Sequence, residues 1–184
     1  MLCLDSGTTL SMRAVSANTM YYLFLNRSLS LAEVWFPEAR ILGLDVNDEC
    51  LSVATEKTRP VCDRVEIAHS SQAILDAWGP FDIVFAMSVL CAWPISKQLS
   101  DISSVYSFKH FEKHVTMLGN VLKQDGLLVI WNASFRFSDS KAAARFDPVP
   151  VDGIGESGFV KKFGPDNKEL AVQDYPLFIF RRIA

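Results

Sequence analysis

Asp45 is the residue whose type and position point to the most specific chemistry. It ends the apolar run Ala39–Leu44, which is typical of a buried strand, and a helical segment from about Asp48 to Lys57 follows it. A carboxylate at the carboxyl end of a parallel strand is where nucleotide-binding α/β domains hold the two hydroxyls of a ribose. The alternative is that Asp45 only caps the following helix. The position favours ribose binding.

The histidines and cysteines are weaker candidates for chemistry. His110 and His114 have the i, i+4 spacing of a metal-binding pair, but no third ligand accompanies them, so a solvated helix face is expected. His69 ends a predicted strand and keeps a possible site role. Cys91 has no basic neighbour in sequence that would favour its thiolate. The cysteines form no CxxC pair and fit free thiols in a reducing cytosol: Cys3, Cys50, Cys62 and Cys91.

Alternating strands and helices are predicted to position these residues. Such alternation indicates a doubly wound α/β fold, with a mostly parallel sheet and helices on both of its faces. The predicted strands are Met20–Leu25, Arg40–Leu44, Arg64–Ala68, Phe81–Met87 and Leu127–Trp131. The predicted helices are Leu29–Phe36, Asp48–Lys57, Gln72–Trp78 and Tyr106–Leu122.

The last third of the chain has a different pattern. Two predicted strands, Phe159–Phe163 and Tyr175–Arg181, flank a turn at Gly164–Asn167, which predicts an antiparallel C-terminal hairpin finishing the sheet. A short helix is expected around Ser140–Arg145. Gly126 is expected to end the long helix as a left-handed cap. The length of 184 residues fits a single domain, 1–184, whose first 20 residues are poorly defined.

Charge and hydropathy narrow the expected partners and location. A net charge of −3 offers no basic field, so no nucleic-acid partner is expected. No apolar run reaches the roughly 18 residues of a membrane span, so no membrane partner is expected. The first ten residues contain Asp5 and no basic residue, unlike a signal peptide. A cytoplasmic protein is predicted, and the oligomeric state is left open.

Four segments resemble the class I S-adenosylmethionine-dependent methyltransferases. They are PEARILGLDVNDECLSVA at Pro37–Ala54, GPFDIVFAMSVL at Gly79–Leu90, FEKHVTMLGNVLKQDGLLVIWN at Phe111–Asn132, and the terminal strand. Their order and spacing match the family from about Asn26 to the C-terminus. The resemblance implies a Rossmann-like methyltransferase fold and S-adenosyl-L-methionine as the cofactor. It also implies methyl transfer to a small-molecule acceptor that the sequence does not identify.

The resemblance also implies a role for each site residue. Asp45 would bind the ribose hydroxyls, and Val46 would lie beside the adenine. Ser70 and Ser71 would lie near the adenine amine. The floor under the methionine part would be Ala86, Met87 and Ser88, and the acceptor would enter over Cys91, Trp93 and Asn132. Trp93 or Tyr106 could supply an aromatic wall for the sulfonium.

The glycine-rich turn of the family is degenerate or displaced in this chain. Counting about 20 residues back from Asp45 gives Leu25–Ser28, without glycine, where Asn26 is the candidate cofactor contact. Leu4–Thr8 resembles the motif better but lies about twice as far away. This departure keeps open a catalytically inactive, methyltransferase-like binding or regulatory protein. A nicotinamide-dependent oxidoreductase is disfavoured, because no tyrosine and lysine stand at catalytic spacing.

Overall fold

The computed structural model describes residues 2–5, 10–12, 39–59, 63, 65–150, 160–173 and 178–184. Within these ranges eight strands form one mixed sheet. The strands are β1 (Leu2–Asp5), β2 (Leu10–Met12), β3 (Arg40–Asp45), β4 (Val65–His69), β5 (Phe81–Met87), β6 (Leu122–Trp131), β7 (Phe146–Val149) and β8 (Phe178–Arg182). The helices are α1 (Asp48–Thr58), α2 (Gln72–Trp78) and α3 (Phe108–Asn120). None of these helices has the length and apolar character needed to cross a membrane.

The strand directions place five carboxyl ends, those of β2 to β6, along one edge of the sheet. The strand order is β4-β3-β1-β2-β5-β6-β8-β7. β3 and β4 are parallel, as are β5 and β6. Because β1 is antiparallel to both β3 and β5, those two strands also run in the same direction. After β3 the chain adds β4 on one side of the sheet, and after β5 it adds β6 on the opposite side. The topological switch point, where α/β sheets bind ligands, therefore lies between β3 and β5.

The expected doubly wound α/β fold is confirmed, and its buried elements are where the sequence predicts them. β5 and α2 have the predicted ends, and β3, β4, α1 and α3 lie within two residues of theirs. Buried side chains of β5 pack in the same core cluster as the apolar face of α3, which comprises Phe111, Val115 and Leu118. The predicted strand Met20–Leu25 and helix Leu29–Phe36 lie outside the described residues.

The C-terminal hairpin uses a different segment from the predicted one. β8 pairs antiparallel with β6 on one side and with β7 on the other, so the partner of β8 is Phe146–Val149. The prediction of a strand at Phe159–Phe163 is wrong from Val160 onward. The N–H of Lys162 donates to the side chain of Gln173 and the N–H of Phe163 donates to the Ser134 carbonyl, instead of joining the β8 ladder.

The prediction that Gly126 caps the long helix is also wrong. α3 ends at Asn120, and Gly126 lies inside β6. The left-handed residue is Asp125, with φ of 63°. The pairing of β5 with β6 shifts register between Phe81 and Ile83, and the extra residues of β6 are accommodated around Asp125 and Gly126.

Gly126 is needed for a close approach of three backbone carbonyls. A Cβ atom at this position would lie 2.9 Å from the carbonyl oxygen of Lys123 and 3.1 Å from those of Phe81 and Asp82. We therefore expect Gly126→Ala to lower the free energy of unfolding by about 2 kcal/mol in urea denaturation, because backbone atoms must move. Gly43→Ala is the matched control, since its Cβ would meet only the tip of the Ile67 side chain at 2.5 Å. An equal or larger loss in Gly43→Ala would contradict this account.

Candidate functional site

Asp45 lies at the carboxyl end of β3, beside the switch point, and is fully buried. Its Oδ1 accepts hydrogen bonds from the N–H groups of Val46 at 2.7 Å and Asn47 at 2.9 Å. Its Oδ2 is buried and accepts no hydrogen bond within the described residues. A buried carboxylate oxygen without a donor is costly, so this atom marks a place for a hydroxyl or N–H donor from a ligand.

The cap of α1 is Asn47 and not Asp45. Asn47 Oδ1 accepts from the N–H groups of Glu49 at 2.9 Å and Cys50 at 3.1 Å. The alternative that Asp45 serves only as the helix cap is therefore wrong. The Asp45 carboxylate instead holds the turn between β3 and α1 through one oxygen and presents the other.

The neighbouring strand brings two predicted residues next to Asp45. His69 pairs with Asp45 in the β3–β4 register, and the N–H of Ser70 donates to the Asp45 carbonyl at 2.7 Å. Ser71 is the N-cap of α2, where its hydroxyl accepts from the N–H of Ile74 at 3.3 Å. Val46 is 56% exposed, which leaves an apolar surface directly beside the buried carboxylate.

The ends of β5 and β6 form a second group of predicted residues. Ser88 and Asn132 follow these two strands, and both have left-handed backbones, with φ of 53° and 56°. Asn132 Nδ2 donates to Ser88 Oγ at 3.3 Å, and the N–H of Ser88 donates to the Trp131 carbonyl at 2.8 Å. The Cys91 thiol donates to the Ser88 carbonyl at 3.3 Å. Left-handed conformations of residues other than glycine are strained and cluster at binding sites.

Trp93 lies in the loop that follows β5. Its ring is half-buried, and the Lys97 ammonium lies 5.0 Å from the ring centre. A cation therefore already occupies the vicinity of the Trp93 ring. Of the other predicted floor residues, Ala86 is buried and Met87 is half-buried at the end of β5. Asn26 and most of the Leu4–Thr8 motif lie outside the described residues.

The histidines of α3 differ from each other in environment. His110 is exposed, as expected for a solvated helix face. The same expectation is wrong for His114, whose Nδ1 lies 3.1 Å from the Tyr106 hydroxyl and whose ring stacks on Tyr106 with 5.8 Å between centroids. Across the described ranges, no group of three or more His, Cys, Asp or Glu side chains could hold a metal ion.

A segment that the sequence did not identify as part of the site joins the loops after β5 and β6. We call residues 160–173 the strap. On one side it contacts the segment between β5 and α3 (residues 88–107, the β5 loop), where Asn167 accepts from the N–H group of Ile102 at 3.0 Å. Asn167 also accepts from the N–H group of Phe108, the first residue of α3, at 2.7 Å. On the other side, Lys162 Nζ donates to the Ala133 carbonyl at 2.5 Å. The only sequence signal for the strap was the Gly164–Asn167 turn, which the hydrogen bond from the Asn167 N–H to the Gly164 carbonyl confirms.

An exposed ion pair fastens the strap to the β5 loop. Lys168 Nζ lies 2.5 Å from Asp101 Oδ2. The hydrogen bond from Lys168, with weaker contributions from Ser103, holds the pKa of the Asp101 carboxyl well below its ordinary value of 3.8. The same contact with Asp101 raises the pKa of Lys168 above 10.5. The stabilisation through Asp101 is therefore complete above pH 3.8 and is lost as the pH falls below it, and the contribution of Lys168 is lost above pH 10.5.

Asp101→Asn tests this ion pair. We expect the variant to have a lower melting temperature than the wild type at pH 7, with a difference that narrows as the pH falls below 3.8. The effect is small, because both side chains are solvent-exposed. Asp139→Asn, an exposed carboxylate in a 3₁₀ turn, is the control and should show a smaller difference at pH 7. A difference for Asp101→Asn that grows on acidification would contradict the assigned direction of the pKa shift.

Comparison with known proteins gives the fold. No protein-family model matches the sequence, and no curated protein sequence matches it. A methyltransferase homolog protein from Pyrococcus horikoshii has a TM-score of 0.54 at 15% identity, over 94% of this chain and 61% of that chain. A Clostridium thermocellum protein that is assigned as an rRNA methylase has a TM-score of 0.51 at 12% identity, over 99% of this chain and 90% of that chain.

A third similar structure comes from work on the conversion of a disulfide bond into a thioacetal group during echinomycin biosynthesis. Its TM-score is 0.52 at 16% identity, and the match covers 94% of this chain and 75% of that chain. This chain spans 61% of the length of the Pyrococcus protein.

The expectation that nucleic acid is excluded as a partner is wrong. It was drawn from the net charge of −3, yet a protein of the same fold carries an rRNA-methylase assignment. The net value also conceals an uneven distribution, because 11 of the 18 Lys and Arg residues lie after Val105, against 9 of the 21 Asp and Glu residues. Local charge decides contact with phosphates. The chain has the fold of the S-adenosylmethionine-dependent methyltransferases.

Proposed function

We propose that the protein binds S-adenosyl-L-methionine and transfers its methyl group to an acceptor. The observation that carries the proposal is the buried Asp45 Oδ2, which lacks a hydrogen-bond donor in the described residues at the end of β3. A ribose offers hydroxyl donors to such an oxygen, and the negative charge strengthens their hydrogen bonds. The position beside the switch point of a methyltransferase fold supports the same ligand.

The residues around Asp45 suit the remaining parts of the cofactor. The exposed side chain of Val46 offers an apolar surface for the adenine. Ser70 is held close to Val46, because the Ser70 N–H donates to the carbonyl of Asp45. Ser71 contributes less in this proposal, because its hydroxyl already caps α2. Ala86, Met87 and Ser88, at the end of β5, form the floor for the methionine part in this proposal.

The acceptor is proposed to bind over Ser88, Cys91, Asn132 and Trp93. When bound, the cofactor would supply an electrophilic methyl group on its sulfonium sulfur. The protein contributes mainly alignment and exclusion of water. The hydrogen bond from Asn132 to Ser88 Oγ keeps both side chains at the ends of adjacent strands, where they can orient the acceptor atom. These short, uncharged groups suit a small-molecule acceptor.

Isothermal titration with S-adenosylhomocysteine tests the cofactor proposal. We expect saturable binding of the product by the folded protein. NAD⁺, titrated under the same conditions, is the control for the disfavoured oxidoreductase and should give no saturable heat. Folded protein that gives no heat with millimolar S-adenosylhomocysteine would overturn the proposal and leave the inactive, methyltransferase-like binding protein in its place.

A further inference from the structure

We propose that Lys162 is a positioning residue for the acceptor side of the site. Its ammonium holds the β6 turn (residues 132–134), and through this turn it keeps Asn132 facing Ser88. The inference rests on the proposed function, in which Asn132 and Ser88 orient the acceptor. Lys162 belongs to the strap and was not identified by sequence as a site residue.

The Lys162 side chain is buried and donates a hydrogen bond to a backbone carbonyl. The side chain is 4% exposed, and its Nζ donates to the Ala133 carbonyl at 2.5 Å. Removing an ammonium group from water is costly unless it forms good hydrogen bonds in the interior. A methionine would fill similar space without this cost, so packing alone does not account for a lysine here.

The group that Lys162 holds is the carbonyl of the Ala133–Ser134 peptide, one residue after Asn132. Asn132 is 4% exposed and has φ of 56°, in the left-handed region that asparagine enters more readily than most other residues with a side chain. Both polar atoms of this peptide are hydrogen-bonded: Lys162 donates to the Ala133 carbonyl, and the N–H of Ser134 donates to the Leu90 carbonyl at 2.8 Å. The strap also holds the turn through the N–H of Phe163, which donates to the Ser134 carbonyl at 2.8 Å. Loss of the first bond should release Asn132 from Ser88 Oγ.

The strap remains attached without Lys162, so its role can be separated from general folding. Lys161 Nζ donates to the Leu99 carbonyl at 3.0 Å and pairs with Glu169 at 2.9 Å. Lys168 pairs with Asp101. The contacts of Lys161 with Leu99 and of Lys168 with Asp101 bind the β5 loop, and the pair of Lys161 with Glu169 lies within the strap. None of these contacts involves the β6 turn. Lys161→Met is therefore a matched control, since it removes a neighbouring strap ammonium that does not contact Ala133.

The experiment measures Asn132 directly by ¹⁵N NMR of the full chain. The side-chain amide signals of Asn132 are assigned by their loss in Asn132→Asp. We expect Lys162→Met to move these signals and to speed hydrogen exchange of the Ser134 N–H at least tenfold. Lys162→Arg should restore the wild-type signals in part, and Lys161→Met should leave them in place. Unchanged Asn132 signals and Ser134 exchange in folded Lys162→Met would overturn the inference.

Two further measurements keep the inference testable if Lys162→Met does not fold. In the wild-type protein, the Lys162 ammonium should give a slowly exchanging ¹⁵Nζ signal with proton contacts to Ala133 and Ser134, and the absence of such a signal would overturn the inference. S-adenosylhomocysteine titration of the wild type tests the proposed function separately. Folded Lys162→Met should bind S-adenosylhomocysteine within threefold of the wild type, and a larger loss would argue against a role confined to the acceptor side.

Discussion

Replacing Asp45 with asparagine is expected to weaken S-adenosylhomocysteine binding by roughly 30-fold, measured by isothermal titration. The substitution keeps an Oδ1 that can accept from the N–H groups of Val46 and Asn47, so the turn after β3 is retained. It replaces the charged Oδ2 with an amide, which donates instead of accepting. The lost charge-assisted hydrogen bonds to a ribose are worth on the order of 2 kcal/mol, and that energy corresponds to the expected change in affinity.

The same substitution should not destabilise the free protein. Asp45 Oδ2 is buried and accepts no hydrogen bond within the described residues, so the substitution at this atom breaks no hydrogen bond of the described fold. We therefore expect the urea midpoint of Asp45→Asn to equal or exceed that of the wild type. A site that is less stable than its neutral variant but binds better is typical of residues retained for function.

Asp48→Asn is the control for the Asp45 experiment. Asp48 is an exposed carboxylate in the first turn of α1, three residues from Asp45. Its substitution changes the net charge equally and should leave S-adenosylhomocysteine affinity within twofold. Wild-type affinity in Asp45→Asn, or an equal loss in Asp48→Asn, would show that the Asp45 carboxylate does not hold the ligand.

The elements around Asp45 could be predicted because their residues are constrained locally. Ile41–Asp45 are five successive buried residues, of which the first four are apolar, as a central parallel strand requires. The side chain of Asn47 caps α1 within the same short segment. Phe81–Met87 is a mainly apolar segment that directly follows the turn residues Gly79–Pro80, and its predicted ends match those of β5. In each case the deciding interactions lie within a few residues.

The remaining features depend on contacts between distant residues. β7 contains Pro148 and few β-branched residues, so its pattern is weak, and its pairing with β8 across more than 30 residues decides its conformation. Lys162 follows Lys161 in a segment without a site motif, and only the fold brings it to Ala133. The net charge does not show where charged residues cluster in the fold. For this reason the prediction that no nucleic acid is bound was wrong.

Phe135→Ala is expected to cause the largest loss of stability, about 3 to 5 kcal/mol in urea denaturation. Phe135 is 1% exposed and lies directly after the β6 turn. Its ring centre lies 5.4 Å from those of Phe108 and Phe111 on α3 and 6.4 Å from that of Phe163 on the strap. Truncation therefore opens a cavity where the helix, the strap and the turn meet.

Two further variants show whether this loss comes from packing. Phe135→Leu keeps most of the volume and should cost about 1.5 kcal/mol. Val172→Ala removes a side chain of the same strap that is 69% exposed, and its effect should stay within about 0.5 kcal/mol. A cost below about 1 kcal/mol for Phe135→Ala would mean that the strap and α3 do not close on this ring. The free energy of unfolding of a protein is typically about 5 to 15 kcal/mol. The expected loss is therefore a large share of the free energy that keeps the acceptor side of the site folded.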